Sequence, residues 1–288
     1  MKRILIIGSK GMAGHVIYNY FKENTNFEIS DIARDTNFHT PKYQLDVSDF
    51  SRLTDAIDKE KPEVVINCIG ILNQDAETNP DKAILFNSYL PHFLARLGDK
   101  NAFKLIHIST DCVFNGKIGG YTEMSIKDGI GFYAQTKALG EVTYGNNLTI
   151  RTSIIGPELK NNGIGLLHWF LMKKANIDGY TEAFWSGVTT LQLAKSISLI
   201  IEQNELCGLI HLTNNVKISK FELLNLFKTF FNKKVIVIPN NNYKVDKSLL
   251  STRSDVTSEV PSYTTMISEL SKWMLDKKFL YTHYELGE

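Results

Sequence analysis

Cysteine is scarce in this chain. Cys68, Cys112 and Cys207 form no CxxC pair, and an odd number cannot close into a fully paired disulfide framework. A reducing compartment follows, so the expected location is cytoplasmic. Long apolar runs are also missing. Ile4-Leu5-Ile6-Ile7, after Met1-Lys2-Arg3, is too short for a signal-peptide core of about 7–15 residues. No run nears the roughly 18 apolar residues of a membrane span. Charge of one sign is absent as well: 32 basic and 31 acidic side chains leave a formal net charge of +1. No bulk field recruits nucleic acid or an anionic membrane, so neither is an expected partner. The seven histidines fall in no HExxH or HxxxH spacing, and no metal site is expected. There is no Pro/Gly/Ser-rich linker and no internal repeat.

What is present is core. The chain has 288 residues, of which 43% are hydrophobic, enough for one large domain or two small ones. In the first half, short apolar runs alternate with helical patterns. Ile4–Ile7, Phe27–Ala33, Val64–Asn67, Phe103–Ile108 and Leu148–Arg151 read as strands; Met12–Lys22, Phe50–Lys59, Asp81–Leu97 and Tyr133–Tyr144 read as helices. That alternation predicts an α/β fold, a parallel sheet covered on both faces. The second half predicts helices over Ile164–Ala175, Leu191–Gln203, Lys220–Phe231 and Tyr263–Leu275, and a strand over Leu209–Leu212. The polar run Asn240–Lys244 reads as a loop. The division expected is a dinucleotide-binding domain over residues 1–155 and a smaller substrate lobe over 156–288, packed intimately against it, with the site in the cleft between.

The first strand runs into Gly8-Ser9-Lys10-Gly11-Met12-Ala13-Gly14, a GxxGxxG turn opening an amphipathic helix. Gly8 permits the tight turn, Gly11 lets backbone approach a pyrophosphate, and Gly14 lets the helix pack close to the sheet. The helix N-terminus offers amide donors to phosphate. A Rossmann-type doubly wound sheet is the fold this context implies. The second strand ends in Asp31-Ile32-Ala33-Arg34-Asp35. A carboxylate there suits the ribose of NAD, whereas Arg34 and Lys10 suit the 2′-phosphate of NADP. NADPH is favoured on this reading, with Asp31 and Asp35 leaving NADH open. Asp46 and Val47, and Cys68, Ile69 and Gly70, follow the next two strands and are expected to line the cofactor.

Tyr133 and Lys137 are four apart, which puts them on one helical face. A neighbouring ammonium and a cationic nicotinamide would lower a phenol's pKa and fit it for proton exchange with a carbonyl or alcohol. The same spacing at Tyr18/Lys22 and Tyr243/Lys247 reads as structural or accidental. Tyr133/Lys137 differs in what precedes it: an apolar strand ending in Ser109-Thr110-Asp111-Cys112-Val113-Phe114-Asn115-Gly116.

With these motifs the chain resembles an extended short-chain dehydrogenase/reductase of the dTDP-4-dehydrorhamnose reductase branch. The similar features are the glycine turn, the STDxVFxG stretch, Tyr133-Ala134-Gln135-Thr136-Lys137 with Gly140-Glu141, and Arg151-Thr152-Ser153. The resemblance implies that Tyr133 protonates the reduced carbonyl oxygen. Thr110 hydrogen-bonds the same oxygen, Lys137 holds the nicotinamide ribose, and Asp111 sits beside the substrate. It further implies NADPH-dependent reduction of the 4-keto group of a nucleotide-linked 6-deoxy sugar, for surface polysaccharide synthesis, and a homodimer formed through two helices. Cys112 stands where related 4,6-dehydratases carry a proton-abstracting Glu, so dehydration is not expected. In the second half the branch's Arg-Pro-x-Asn-Ser stretch is missing. Asp246-Lys247-Ser248-Leu249 stands there, followed by Arg253 and Asp255. Gly179–Gly187 reads as the loop facing the sugar nucleotide, with Trp185 and Arg253 as expected substrate contacts. Trp185 as core packing between the lobes remains an equal reading. Two other functions fit the same motifs: a dinucleotide-binding regulatory subunit resembling the methionine adenosyltransferase β subunit, and a nucleotide-sugar epimerase.

Overall fold

The computed structural model describes residues 1–203, 206–256 and 259–286. The chain begins β1 (Arg3–Ile7), α1 (Met12–Asn24), β2 (Glu28–Ala33), β3 (Tyr43–Gln44), α2 (Phe50–Glu60) and β4 (Val64–Asn67). Short helices α3 (Asn73–Thr78) and α4 (Pro80–Ala83) lead through a π-helical turn (Ile84–Tyr89) into α5 (Leu90–Asn101). Then come β5 (Lys104–Thr110), α6 (Phe132–Leu139), β6 (Leu148–Thr152), β7 (Ile154–Ile155), α7 (Leu166–Leu171), β8 (Ile177–Trp185), β9 (Val188–Thr189) and α8 (Thr190–Gln203). The last elements are β10 (Gly208–His211), β11 (Ile218–Ser219), α9 (Lys220–Phe230), β12 (Val237–Asp246) and α10 (Tyr263–Asp276).

Seven parallel strands form the main sheet in the order β10-β6-β5-β4-β1-β2-β3. The winding reverses between β1 and β4, so the loops leaving those strands part and open a crevice at the carboxyl edge. The alternation of side chains across a strand builds two cores. Ile4 and Ile6 face one core with Val16, Ile17 and Ile197 from α1 and α8; Leu5 and Ile7 face the other with Leu53, Leu94 and Val65. This is why β1 reads as a continuous apolar run. The sheet is therefore the doubly wound one the alternation predicts.

A second sheet, β11-β8-β12, comes from the second half of the chain and packs on α9, while β10 and α8 of the same half join the main sheet and α1. Here two expectations are corrected. Gly179–Gly187 is not a loop: most of it is β8, the central strand of this sheet. Gly179 is required there because a Cβ would fall 2.7 Å from Val237 Cγ1 and 2.9 Å from the Phe221 backbone. Asn240–Lys244 is not a loop either. It lies within β12, which runs parallel to β8 with its register broken between Asn240 and Lys244. An exposed edge strand needs few apolar residues, so composition hid it. Three helices are also shorter or less regular than expected. The Tyr133–Tyr144 helix ends at Leu139, the Ile164–Ala175 helix shrinks to α7, and Asp81–Leu97 is interrupted by the π turn.

The C-terminal segment folds back onto the first helix. His15 of α1 is buried, with its ring bonded to the Gly11 carbonyl at 2.8 Å and to the Tyr281 hydroxyl at 2.9 Å. Tyr284 bonds His168 of α7 and the Glu158 amide. Among the described residues no helix is long and apolar enough to cross a membrane.

Candidate active site

The crevice holds three connected compartments of about 870, 1170 and 1060 Å³, open solvent at their mouths included. The first lies over the glycine turn and β2. The second runs from Gly11 and Cys68 to Tyr133. The third lies under the lobe and shares Asp111, Cys112, Ser153 and Leu166 with the second.

The glycine turn is built as its spacing requires. Gly8 has φ +85°, a conformation that disfavours any side chain. A Cβ on Gly14 would fall 2.1 Å from the Gly8 carbonyl oxygen, so α1 can reach the sheet only with glycine there. Gly11 is different: its Cβ would meet nothing of the chain closer than 3.5 Å. What its missing side chain leaves open is the floor of the crevice. No side chain caps α1, and Met12 and Ala13 border the second compartment. A cradle of bare backbone at a helix N-terminus fits a dinucleotide pyrophosphate.

The acidic residues near the ribose end are engaged elsewhere. Asp31 is buried and accepts from Ser9 Oγ (2.6 Å), His39 Nε2 (2.8 Å) and the Lys42 amide (2.9 Å). Asp35 is paired with Lys10 Nζ at 3.2 Å. The Arg34 side chain is 74% exposed, with only a long 4.0 Å contact to Asp46. Lys160, which the sequence did not single out, borders the same compartment and acts with Lys10 to hold the Asp35 carboxyl down against its burial. Asp46 is an anchor for the turn into α2, accepting from Ser48 N and Oγ. Val47, Cys68, Ile69 and Gly70 line the crevice.

Tyr133, Lys137 and Thr110 meet in the second compartment. Thr110 ends β5; its hydroxyl accepts from the Cys112 amide at 3.1 Å and reaches Asp111 Oδ1 at 3.1 Å. Tyr133 lies in the first turn of α6, where the Glu77 carboxylate accepts from its amide at 3.1 Å. Gly131, with φ +92°, leaves room for that carboxylate. Lys137 is 4% exposed and donates to the Ile108 carbonyl at 2.7 Å, with His107 Nε2 at 3.3 Å. Burial pushes Tyr133 above its ordinary value, the charges of Cys112 and Asp111 add to that, and the Thr110 hydroxyl opposes it. Lys137 is itself pushed down to about 8 by burial. Its nitrogen is turned to strand β5 rather than to the phenol.

Two residues that the spacing arguments passed over hold this set in place. Asn87, fully buried on the π turn, receives the Ile71 amide at 2.8 Å and donates to Ile71 O and Thr136 Oγ1. It thereby ties the loop after β4 to α6. Glu141 receives two bonds from Arg151 (2.7 and 2.8 Å) and one from Ser109 (2.7 Å), with Lys127 at 3.1 Å. A lone Asn within an apolar helix pattern, and a Glu just after the Tyr-Lys helix, were the available signals.

The third compartment is where the sequence reading was least complete. Asp111 faces it, its carboxyl pushed up by burial and drawn back by Lys247, Lys220 and the hydroxyls of Thr110 and Ser153. Lys220, the first residue of α9, lies 5.6 Å from the centre of the Trp185 ring and is pushed down to about 8 by burial. Tyr180 and Tyr243, with ring centres 5.2 Å apart, border the same space. So Tyr243 and Lys247, whose spacing read as accidental, both border the crevice. Trp185 is 3% exposed and packs against Tyr263 in the core while touching the compartment. Arg253 is not brought to the crevice. It is paired with Asp255 and bonds the carbonyls of Cys207 and Leu209 at the sheet edge. Burial pushes the Cys112 thiol up to about 11, which leaves no thiolate nucleophile near neutral pH.

A model of the RmlD substrate binding domain family matches residues 1–264. A probable low-salt glycan biosynthesis reductase of Haloferax volcanii is 30% identical over 139 residues; that match spans 47% of this chain and 46% of the relative, about half the length of each. Methionine adenosyltransferase 2 subunit beta of Xenopus tropicalis is 27% identical over 80% of this chain and 72% of its own. The fold of dTDP-4-dehydrorhamnose reductase from Bacillus anthracis, a structure in complex with NADP, superposes with a TM-score of 0.79 at 21% identity, over 94% of this chain and 98% of that one.

Proposed function

The chain belongs to the RmlD substrate binding domain family, and on that premise we propose that it is an NADPH-dependent reductase of a 4-keto-6-deoxy sugar nucleotide. The observation that carries this reading is the convergence of Thr110, Tyr133 and Lys137 at the end of β5, beside a bare glycine cradle. When bound in that cradle, a reduced nicotinamide supplies the hydride. The chain's own residues bind, orient and move the proton. Thr110 Oγ1 and the Tyr133 hydroxyl converge on one carbonyl oxygen; Tyr133 gives it the proton and Thr110 donates a hydrogen bond that strengthens as charge develops. Lys137 holds the ribose hydroxyls. Arg34 and Lys160 suit a 2′-phosphate, and the commitment of Asp31 and Asp35 to other partners supports NADPH over NADH. Asp111 contacts the sugar. In the third compartment Lys220 and Lys247 face the diphosphate, and Tyr180 and Tyr243 face the base.

The test is NADPH oxidation with a panel of dTDP- and UDP-linked 4-keto-6-deoxy sugars, run with wild type and Tyr133→Phe. Turnover should fall by roughly 10²- to 10⁴-fold in the variant, with cofactor affinity unchanged in calorimetry. Equal turnover in the two proteins would remove Tyr133 from the role. A second reading, a non-catalytic dinucleotide-binding regulatory subunit, is favoured by the likeness to methionine adenosyltransferase 2 subunit beta over 80% of this chain. Tight cofactor binding without turnover on any substrate of the panel would select it.

A further inference from the structure

Two tyrosines near the C-terminus reach both rims of the dinucleotide crevice. Tyr281 is buried, and its hydroxyl lies 2.9 Å from His15 Nε2; the other nitrogen of that ring bonds the Gly11 carbonyl at 2.8 Å. This fastens the glycine turn from behind. Tyr284 is also buried, and its hydroxyl accepts from the Glu158 amide at 3.1 Å and lies 2.8 Å from His168 Nδ1. Glu158 begins the loop, residues 158–165, that leads into α7. Its carboxylate turns back on that loop, where Oε1 accepts from the Ile164 amide at 2.9 Å and the Gly165 amide at 2.7 Å. The closure is tight. A Cβ on Gly163 would lie 2.7 Å from the Glu158 carboxylate, and one on Gly165 would lie 2.6 Å from Met12 Cε at the glycine turn. Leu159 is buried in the core and anchors the base of the loop.

The loop borders both ends of the crevice. Lys160 lines the first compartment together with Arg34, and its charge acts on Asp35. Ile164 and Gly165 line the second compartment, which also holds Tyr133 and Lys137. From this geometry we propose that Glu158 and Tyr284 are positioning residues that set cofactor choice: they hold residues 158–165 along the crevice, so that Lys160 meets a 2′-phosphate and Ile164 covers the nicotinamide end. Lys160 is exposed on a flexible stem, so its place depends on the backbone beneath it. A loop that reads Glu158-Leu159-Lys160-Asn161-Asn162-Gly163-Ile164-Gly165 samples many conformations when untied, and ordering it on binding would subtract from affinity. The bonds of Glu158 and Tyr284 order it in the free protein. Phenylalanine at 284 would fill the same core space; only the hydroxyl reaches the loop.

The inference rests on the reading of the crevice as an NADPH site and deepens it. A tyrosine that touches no ligand decides how firmly a cation on another segment meets the 2′-phosphate. NADH lacks that phosphate and draws on the loop only through its nicotinamide end, so it is the less affected cofactor.

The test measures NADPH and NADH binding to the full chain by calorimetry, and their release by stopped-flow nicotinamide fluorescence, with no keto sugar present. Lys160→Ala should weaken NADPH by about tenfold and NADH little. Tyr284→Phe and Glu158→Ala should each weaken NADPH by about three- to tenfold, chiefly through faster release, and NADH by less than about twofold. Tyr284→Phe added to Lys160→Ala should cost NADPH nothing further, because the lysine it positions is already gone. Glu158→Gln should bind as wild type does, since its amide oxygen accepts the same two bonds. Glu158→Ala, in a half-buried loop, covers the case in which Tyr284→Phe does not fold. Equal losses for the two cofactors, or losses that add to that of Lys160→Ala, would overturn the proposal, because a merely structural role moves both nucleotides alike. NADPH binding unchanged in Tyr284→Phe and Glu158→Ala would overturn it too. If binding behaves as expected and no keto sugar is reduced, the positioning role stands and the reductase reading falls; a wild type that binds neither nucleotide overturns both.

Discussion

The carbonyl oxygen of Asn87 occupies the space beside residue 140 so fully that a Cβ on Gly140 would lie 1.8 Å from it. This contact presses the end of α6 onto the π-helical turn. On the same surface Asn87 Nδ2 and Ser88 Oγ hold Thr136, one residue before Lys137. The π turn and the Tyr-Lys helix are thus one body.

Gly140→Ala should therefore cost about 1–3 kcal/mol, at the upper end because the obstructing atom is backbone. Turnover should fall further than stability alone explains, since α6 must move with Tyr133 and Lys137. Urea unfolding and kcat measured on the same preparation check both statements.

Arg151, whose side chain is 1% exposed, and Glu141 form a buried ion pair. Arg151→Met should destabilise by about 3–5 kcal/mol, because it strands a buried carboxylate. Adding Glu141→Leu should recover much of that loss. Burial pushes the Glu141 carboxyl up, but the bonds from Arg151, the Lys127 charge and Ser109 outweigh it and hold the value below the ordinary one. The pair's contribution is therefore complete above about pH 4.5 and fades as pH falls through the lower folded-state value. Denaturation at pH 7 and pH 3.5 should show a steeper acid loss in wild type than in the double variant.

Arg34→Gln should weaken NADPH binding by about tenfold and leave NADH nearly unchanged, the modest size reflecting an exposed cation. Calorimetry with both cofactors decides it. An equal loss for the two would mean that Arg34 contributes only general charge.

Lys220→Met and Lys247→Met should each raise KM for the sugar nucleotide by roughly 10- to 100-fold, as for a lost hydrogen bond to a charged group. In both, kcat should change little, because neither touches the reacting carbonyl. A fall in kcat at constant KM would place them with the proton-transfer groups instead.

What could be read in advance was what depends on neighbours in sequence. Gly8, Gly11 and Gly14 lie within one turn, Tyr133 and Lys137 within one helical turn, and Thr110 at the end of an apolar strand. Local geometry sets what each can do. Lys160, Lys220 and Lys247 could not be found that way: each comes from a different segment, and only the packing of the lobe on the sheet assembles them. Glu77 and Asn87 act on α6 from some 50 residues away, and nothing in their own surroundings says so. The polar residues of β12 misled for a related reason, since an edge strand in water needs no apolar alternation. Arg253 looked like a substrate contact because a cation followed a departure from the family pattern, yet its donors are spent at the sheet edge on Asp255 and two carbonyls.

His15 and Tyr281 are partners separated by 266 positions. At a synthesis rate of about 5–20 residues per second, the nascent chain waits roughly 13–50 s between making one and making the other. Through that interval the helix that opens the glycine turn carries an interior imidazole without its hydroxyl, on a face that α8 and the C-terminal tyrosines have not yet covered. Pairing so distant in sequence makes for slow, late closure. The first element of the cofactor cradle to leave the ribosome is thus among the last to be finished.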